Sequence, residues 1–173
     1  MKNPIKLLLD EHKLIQNALA FGKEIQKVEE GATYFNLARD FIIFIRNLTE
    51  IYHYPKEEHI LYPLIRARAD RSEEGLIYEI CDDHQDLRTL IIELESHYLN
   101  YDYKQLHMAM TKYLYELSEH INLENESILK MDSKYFTDAE LENLYGKFLE
   151  FDEKQGGKED LIKEFYKMSV QVH

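Results

Sequence analysis

Apolar residues recur every three to four positions along almost the whole chain, and only six glycines and three prolines interrupt them. That period is helical. The helix starts follow from capping chemistry. Asn3 before Pro4 predicts a cap with proline at the first helical position, opening a helix to about Glu29. Thr33 is expected to cap a second helix, carrying Phe41, Ile42, Ile45 and Leu48 and ending near Arg68. Ser72, followed by Glu73 and Glu74, predicts a third to about Asn100. Asp102-x-x-Gln105 opens a fourth, ending near Met131, and Thr137-x-x-Glu140 is a capping box for a shorter fifth element. Gln155-Gly156-Gly157 should break or bend that last element before a stretch through Phe165. Four long helices with short connections predict an all-α, antiparallel up-down-up-down four-helix bundle over residues 1–135. Residues 136–173 are expected to form a C-terminal helical extension packed on the same domain.

With 173 residues and 45% apolar content, the chain can bury a core of its own. Its 21 basic residues against 33 acidic ones give a net charge of -12, a field that repels phosphate backbones and anionic membrane surfaces. Nucleic acid and membrane are therefore excluded as expected partners. The single cysteine, Cys81, makes neither an internal disulfide nor a thiolate metal site alone. The apolar run Ile5 to Leu9 stops at Asp10, short of signal or membrane-spanning length, so the expected location is cytoplasmic.

Candidate chemistry lies in a repeated spacing. His53-x-x-x-Glu57 recurs as His120-x-x-x-Glu124, and each half of the chain holds one further histidine before its pair, His12 and His84. On a helix this spacing sets an imidazole and a carboxylate one turn apart on one face. At ~1.5 Å rise per residue in an antiparallel bundle, all six residues fall in one slab, roughly 13 to 20 Å from the same end. A single inward histidine is usually a satisfied core residue. Six ionisable groups converging at one level are costly unless partnered, and a metal neutralises the carboxylates while occupying the ring nitrogens. A metal-free layer of His/Glu salt bridges is the alternative. Imidazole and carboxylate without thiolate suit iron or manganese, with zinc a further option.

These residues carry a resemblance. Leu9-Asp10-Glu11-His12, the block from His53-Tyr54-Pro55-Lys56-Glu57 to Leu61-Tyr62-Pro63, Asp83-His84, and the block from His120 through Glu124 to Leu129 resemble the haemerythrin-like family, also called the HHE cation-binding domain. The likeness covers residues from about 4 to 131. The tail Phe151-Asp152-Glu153-Lys154-Gln155-Gly156-Gly157 is similar to tails of a bacterial subgroup. The resemblance implies a non-haem di-iron centre with a solvent-derived oxo or hydroxo bridge. His12 and His53 would hold one iron, His84 and His120 the other, and Glu57 and Glu124 would bridge them. Oxygen-carrying members have a second histidine one turn after the first on the third helix, and here that position is Arg88. Each iron would then keep an open position, which favours redox turnover or sensing over storage of O2.

One turn above the slab stand Gln16, Thr49, Arg88 and Glu116, each four residues from a histidine. An Arg88–Glu116 ion pair is expected to roof the site and hydrogen-bond a ligand at the metal; the alternative has Arg88 reaching outward to solvent. Tyr113, two turns from His120, is a candidate redox-active or gating residue. Leu8 and Ile80 should form a dry wall below, and Pro55 should kink the second helix near the metal. His59 reads as a surface residue. Ferritin-type centres require Glu-x-x-His on two helices, and here only Glu50-x-x-His53 has that spacing. Two classes of function remain. One is a binding protein or sensor for O2, nitric oxide or peroxide, acting with a redox or signalling protein partner. The other is a di-iron oxidoreductase using an external reductant, or an iron donor in the repair of iron-sulfur clusters.

Overall fold

A computed structural model describes residues 2–170, and for residues 128–133 the backbone only. The described residues are all-helical, without strands. Helix α1 spans Pro4–Ile25, with the Asn3 side chain accepting the Ile5 N–H at 2.8 Å. It ends before Glu29 because Lys27 and Val28 turn to three-residue bonds on Glu24 and Ile25. The second long helix, α2, is continuous over 32–66, and Gly31 rather than Thr33 precedes it, without a side-chain cap. Asp70, not Ser72, caps α3 (Arg71–Leu99), in a reciprocal box with Glu73 that satisfies two backbone donors at once. Helix α4 (Tyr103–Tyr135) opens with the Gln105 N–H donating to Asp102. The Thr137/Glu140 box opens α5 (Asp138–Lys154). Gly156 and Gly157, at φ of 91° and 83°, take left-handed conformations and turn the chain into α6 (Lys158–Ser169), which runs past Phe165.

The core divides into two apolar clusters. One contains Ile15, Leu19 and Ile25 of α1, Phe41 and Ile45 of α2, Leu87 and Leu94 of α3, and Leu106 and Leu117 of α4. The other gathers Ile5 and Leu8, Leu61 and Ile65, Ile77 and Ile80, and is completed by Phe136, Leu141, Leu144 and Phe148. The residues at the changeover are buried and polar on all four long helices: Glu11 and His12, His53 and Glu57, His84, and His120 and Glu124. Each buried side chain of α5 contributes about 1.5–3 kcal/mol of apolar burial, which holds that helix against the second cluster. Helix α6 packs Leu161, Ile162 and Phe165 against the first. Gly22 permits a close approach inside α1, since a Cβ there would lie 2.6 Å from Leu114 Cδ2. No helix among the described residues is long and apolar enough to cross a membrane.

Candidate metal centre

The site begins with two Tyr-Pro steps eight residues apart in α2. Proline has no N–H, and its ring crowds the carbonyl four residues back. Where a regular helix would clash, the chain widens: Asn47–His53 and Glu57–Leu61 are π-helical, and only Tyr54–Lys56 between them is α-helical. The last donor before each proline reaches back five residues, Tyr54 N–H to the Thr49 carbonyl and Tyr62 N–H to the Glu57 carbonyl. Pro55 is therefore accommodated by π-helical widening of the turns around it. The altered phase buries Tyr52, His53, Tyr54, Lys56 and Glu57 together, a density that one face of a regular helix cannot reach.

The structure brings His12, His53, Glu57, His84, His120 and Glu124 into one cluster. Their relative exposures range from 0 to 3%. His12 and His53 form one pair, their Nε2 atoms 3.1 Å apart and their ring centroids 4.8 Å apart. His84 and His120 form the other, with ring centroids 4.7 Å apart. The carboxylates lie between the pairs. Glu57 Oε2 is 3.5 Å from His53 Nε2 and 3.6 Å from His84 Nε2. Glu124 Oε2 is 3.3 Å from both His12 and His120 Nε2, and its Oε1 is 3.4 Å from His84 Nε2.

Two ligand groups result, His12/His53/Glu57/Glu124 and His84/His120/Glu124, each with donor atoms within 4.8 Å of one another. Both Glu57 oxygens, Glu124 Oε2 and the Nε2 atoms of His84 and His120 are buried without a hydrogen bond. Orphaned groups of this kind, gathered in two ligand sets, fit cations. Burial, reinforced by the charge of Glu124, raises the Glu57 pKa well above its usual range. Burial pushes Glu124 the same way, but the surrounding histidines overcome it and hold its pKa well below normal. The metal-free site is thus short of positive charge.

On the outer side, Nδ1 atoms meet acceptors that fix the rings. His12 Nδ1 is 2.8 Å from Asn125 Oδ1, His53 Nδ1 2.9 Å from Glu11 Oε2, and His84 Nδ1 2.8 Å from Glu58 Oε1. Such contacts select the tautomer that leaves Nε2 free for a metal. Glu11 is itself held by Lys56, fully buried at the level of α2, whose Nζ donates to Glu11 Oε1 at 2.5 Å and to Asp152 Oδ1 of α5 at 2.8 Å. The same ammonium lies 3.7 Å from the Tyr52 ring centroid. Burial would raise the Glu11 pKa, yet His53 and Lys56 draw it below normal.

The expected polar roof does not form. Arg88 donates to both oxygens of Glu58, at 2.8 and 3.0 Å, while Glu116 and Gln16 are exposed. The reason is angular: four residues of α-helix advance by 400°, so each step drifts about 40° off the inward face. The inward positions of the next turn are Ile15, Leu87 and Leu117. Thr49 alone of the four stays buried, donating to the Ile45 carbonyl, and it faces the hydroxyls of Tyr54 and Tyr113. Tyr113 is fully buried beside this hydroxyl cluster, next to Phe41. His59 is exposed.

Sequence reasoning missed Glu11, Tyr54, Lys56, Glu58, Tyr62, Asn125 and Asp152. Tyr54 stacks on His84 with centroids 3.8 Å apart, and the Tyr62 hydroxyl donates to Glu124 Oε1 at 2.9 Å. Burial raises both phenol pKa values well above normal, so each remains a neutral phenol. The repeated Tyr-Pro step was the signal that could have found them. Residues 3–131 match a family model described as the hemerythrin HHE cation binding domain. No curated protein and no solved structure matches the chain.

Proposed function

Because this chain belongs to the haemerythrin HHE cation-binding family, we propose that its metal-binding cluster holds two iron ions and serves to bind, sense or react with O2, nitric oxide or peroxide. The observation that carries this reading is the position of the carboxylates, each within 4.0 Å of histidines from both pairs. His12 and His53 would hold one ion, His84 and His120 the other, and Glu57 and Glu124 would span both, with a solvent-derived oxo or hydroxo bridge completing the centre. The all-imidazole and carboxylate donor set suits iron, with manganese or zinc as competitors. The contacts of α2 with α3 favour the antiparallel bundle: Arg46 meets Glu95, whereas Glu58, further along α2, meets the earlier His84.

A pair of irons, when bound, would supply redox capacity toward a small ligand. The rest is done by side chains. Glu11, Asn125 and Glu58 hold three imidazoles in one tautomer, and Tyr62 directs a neutral hydrogen bond at Glu124. Arg88, standing where oxygen carriers have another histidine, supports Glu58 and thereby His84. The apolar clusters on either side close off the cluster along the length of the bundle. Reducing equivalents or signal output would pass through a separate protein partner.

The test is anaerobic metal analysis of the native protein, followed by optical spectra on exposure to O2 and then to hydrogen peroxide. Two irons per chain are expected, with half the content lost in a His84→Ala/His120→Ala variant. A band that reverses under vacuum marks binding, and peroxide consumption with added reductant marks turnover. Iron content unaffected by removing these histidines would refute the reading.

A further inference from the structure

Between α3 and α4 lies a cleft of about 470 Å³ whose floor reaches His120. Its walls carry the carboxylates of Asp83, Asp86, Glu93, Glu116 and Glu119 against the single ammonium of Lys112. His120 differs from the other three histidines. Their Nδ1 atoms have acceptors at 2.8 to 2.9 Å, whereas His120 is 97% buried with neither ring nitrogen hydrogen-bonded. Its Nδ1 faces Asp83 Oδ2 at 3.6 Å, too long for a hydrogen bond, and Asp83 is 40% exposed. On its other side, Nε2 is 3.3 Å from Glu124. A line of donor atoms therefore runs from solvent through Asp83 and His120 to a carboxylate of the buried cluster.

We infer that this cleft is the entry path for a divalent cation, with Asp83 and the unpinned His120 passing it inward to the His84/His120 half of the site. Neutral O2, nitric oxide and hydrogen peroxide gain nothing from five carboxylates, and anions are repelled by them. A divalent cation is concentrated there by the focused field. His120 lacks the outer hydrogen bond that fixes the other three rings, as suits a ligand at an entrance. The inference rests on the metal-binding reading of the cluster.

The experiment is stopped-flow uptake of Fe(II) by metal-free full-length protein under anaerobic conditions, with final iron content measured separately. Glu93→Gln/Glu116→Gln/Glu119→Gln changes exposed positions and should load about tenfold more slowly at low salt. The difference should close in ~0.5 M salt, where the Debye length is only a few ångströms. Final iron content should be unchanged. Asp83→Asn should slow loading at both salt concentrations. Glu29→Gln/Glu30→Gln/Glu142→Gln, exposed and outside the cleft lining, removes the same three charges and should load like the parent. Equal rates in the cleft variant and the control would overturn the entry path while leaving the metal centre intact. Reduced final iron in the cleft variant would also overturn it, since the carboxylates would then hold metal rather than conduct it. Failure of the parent protein to take up iron would remove both readings.

Discussion

Replacing Lys56 by methionine would remove an ammonium buried among Glu11, Asp152 and Tyr52 while keeping most of the side-chain volume. Glu11 is 1% exposed, and the substitution would leave its charge with His53 Nδ1 as its remaining close partner. Breaking a buried pair on one side costs about 3–5 kcal/mol. For a chain of this size each kcal/mol lowers Tm by about 2–4 °C, so a fall of roughly 6 to 20 °C is expected. Asp152→Asn should cost less, about 1–2 kcal/mol, because Lys56 keeps Glu11 and Asp152 is partly solvated. The diagnostic variant is the double, Glu11→Gln/Lys56→Met. It removes the Glu11 charge as well, leaving only Asp152 without its ammonium, and should recover part of the stability lost in Lys56→Met alone. Its metal affinity should nonetheless be down by about 10–100-fold, because His53 loses a charged orienting partner. Urea unfolding of metal-free protein, followed by circular dichroism, gives the stabilities, and competition with a chelator gives the affinities. A loss below about 1 kcal/mol for Lys56→Met, or a double variant no more stable than the single, would refute this account of the buried chain.

Arg88→Leu should keep the fold but free Glu58 from its bidentate clamp, lowering affinity at the His84/His120 half by about tenfold; equal chelator competition curves for parent and variant would contradict it. The pH dependence of the metal-free protein follows from five groups. Glu11 and Glu58 have pKa values lowered from 4.5, since burial is outweighed by His53 and Lys56 for the first and by His84 and Arg88 for the second. Their stabilisation is complete above pH 4.5 and is lost as pH falls through the lowered values. His12 and His84 have pKa values raised from 6.5, because burial is outweighed chiefly by Glu124 in both cases. Their stabilisation is complete below pH 6.5 and is lost as pH rises through the raised values. These four groups therefore favour pH 4.5 to 6.5, and Glu57, whose raised pKa makes its contribution fall as pH rises above 4.5, places the stability maximum of the metal-free protein at the acid end of that range. Iron, replacing those protons, should move the optimum upward, and thermal melts across pH with and without Fe(II) would show whether it does.

How far the site could be read from the chain depended on the range of the interaction. The histidines and glutamates that line the cluster were legible because their spacing is local, and a helix converts a four-residue interval into a shared face. The same interval failed for Gln16, Arg88 and Glu116, since the 40° drift is harmless between adjacent ligands pulled to one point but decisive one turn further out. The caps were missed where two candidates competed: Asp70 precedes Ser72 and has Glu73 at the third position, which completes a box that Ser72 cannot. The π-helical widening was hidden because its cause, a Tyr-Pro step repeated at eight residues, has a steric consequence that depends on the hydrogen bonds of the preceding turn.

Lys56 and Asp152 were beyond such reasoning for a different reason. They are 96 residues apart, and nothing local in either segment requires the other. Their meeting gives α5 a second connection to the centre besides apolar packing. Phe148 anchors α5 to the lower cluster, and one turn later Asp152 joins Lys56, Glu11 and His53 in an unbroken run of polar contacts. A displacement of α5 would therefore change the charge environment of a histidine in the cluster without altering any residue that touches a metal. The extension thus touches the charged chain behind His53 as well as covering the end of the core, and Asp152→Asn separates the two contacts because it removes the charge and leaves Phe148 in place.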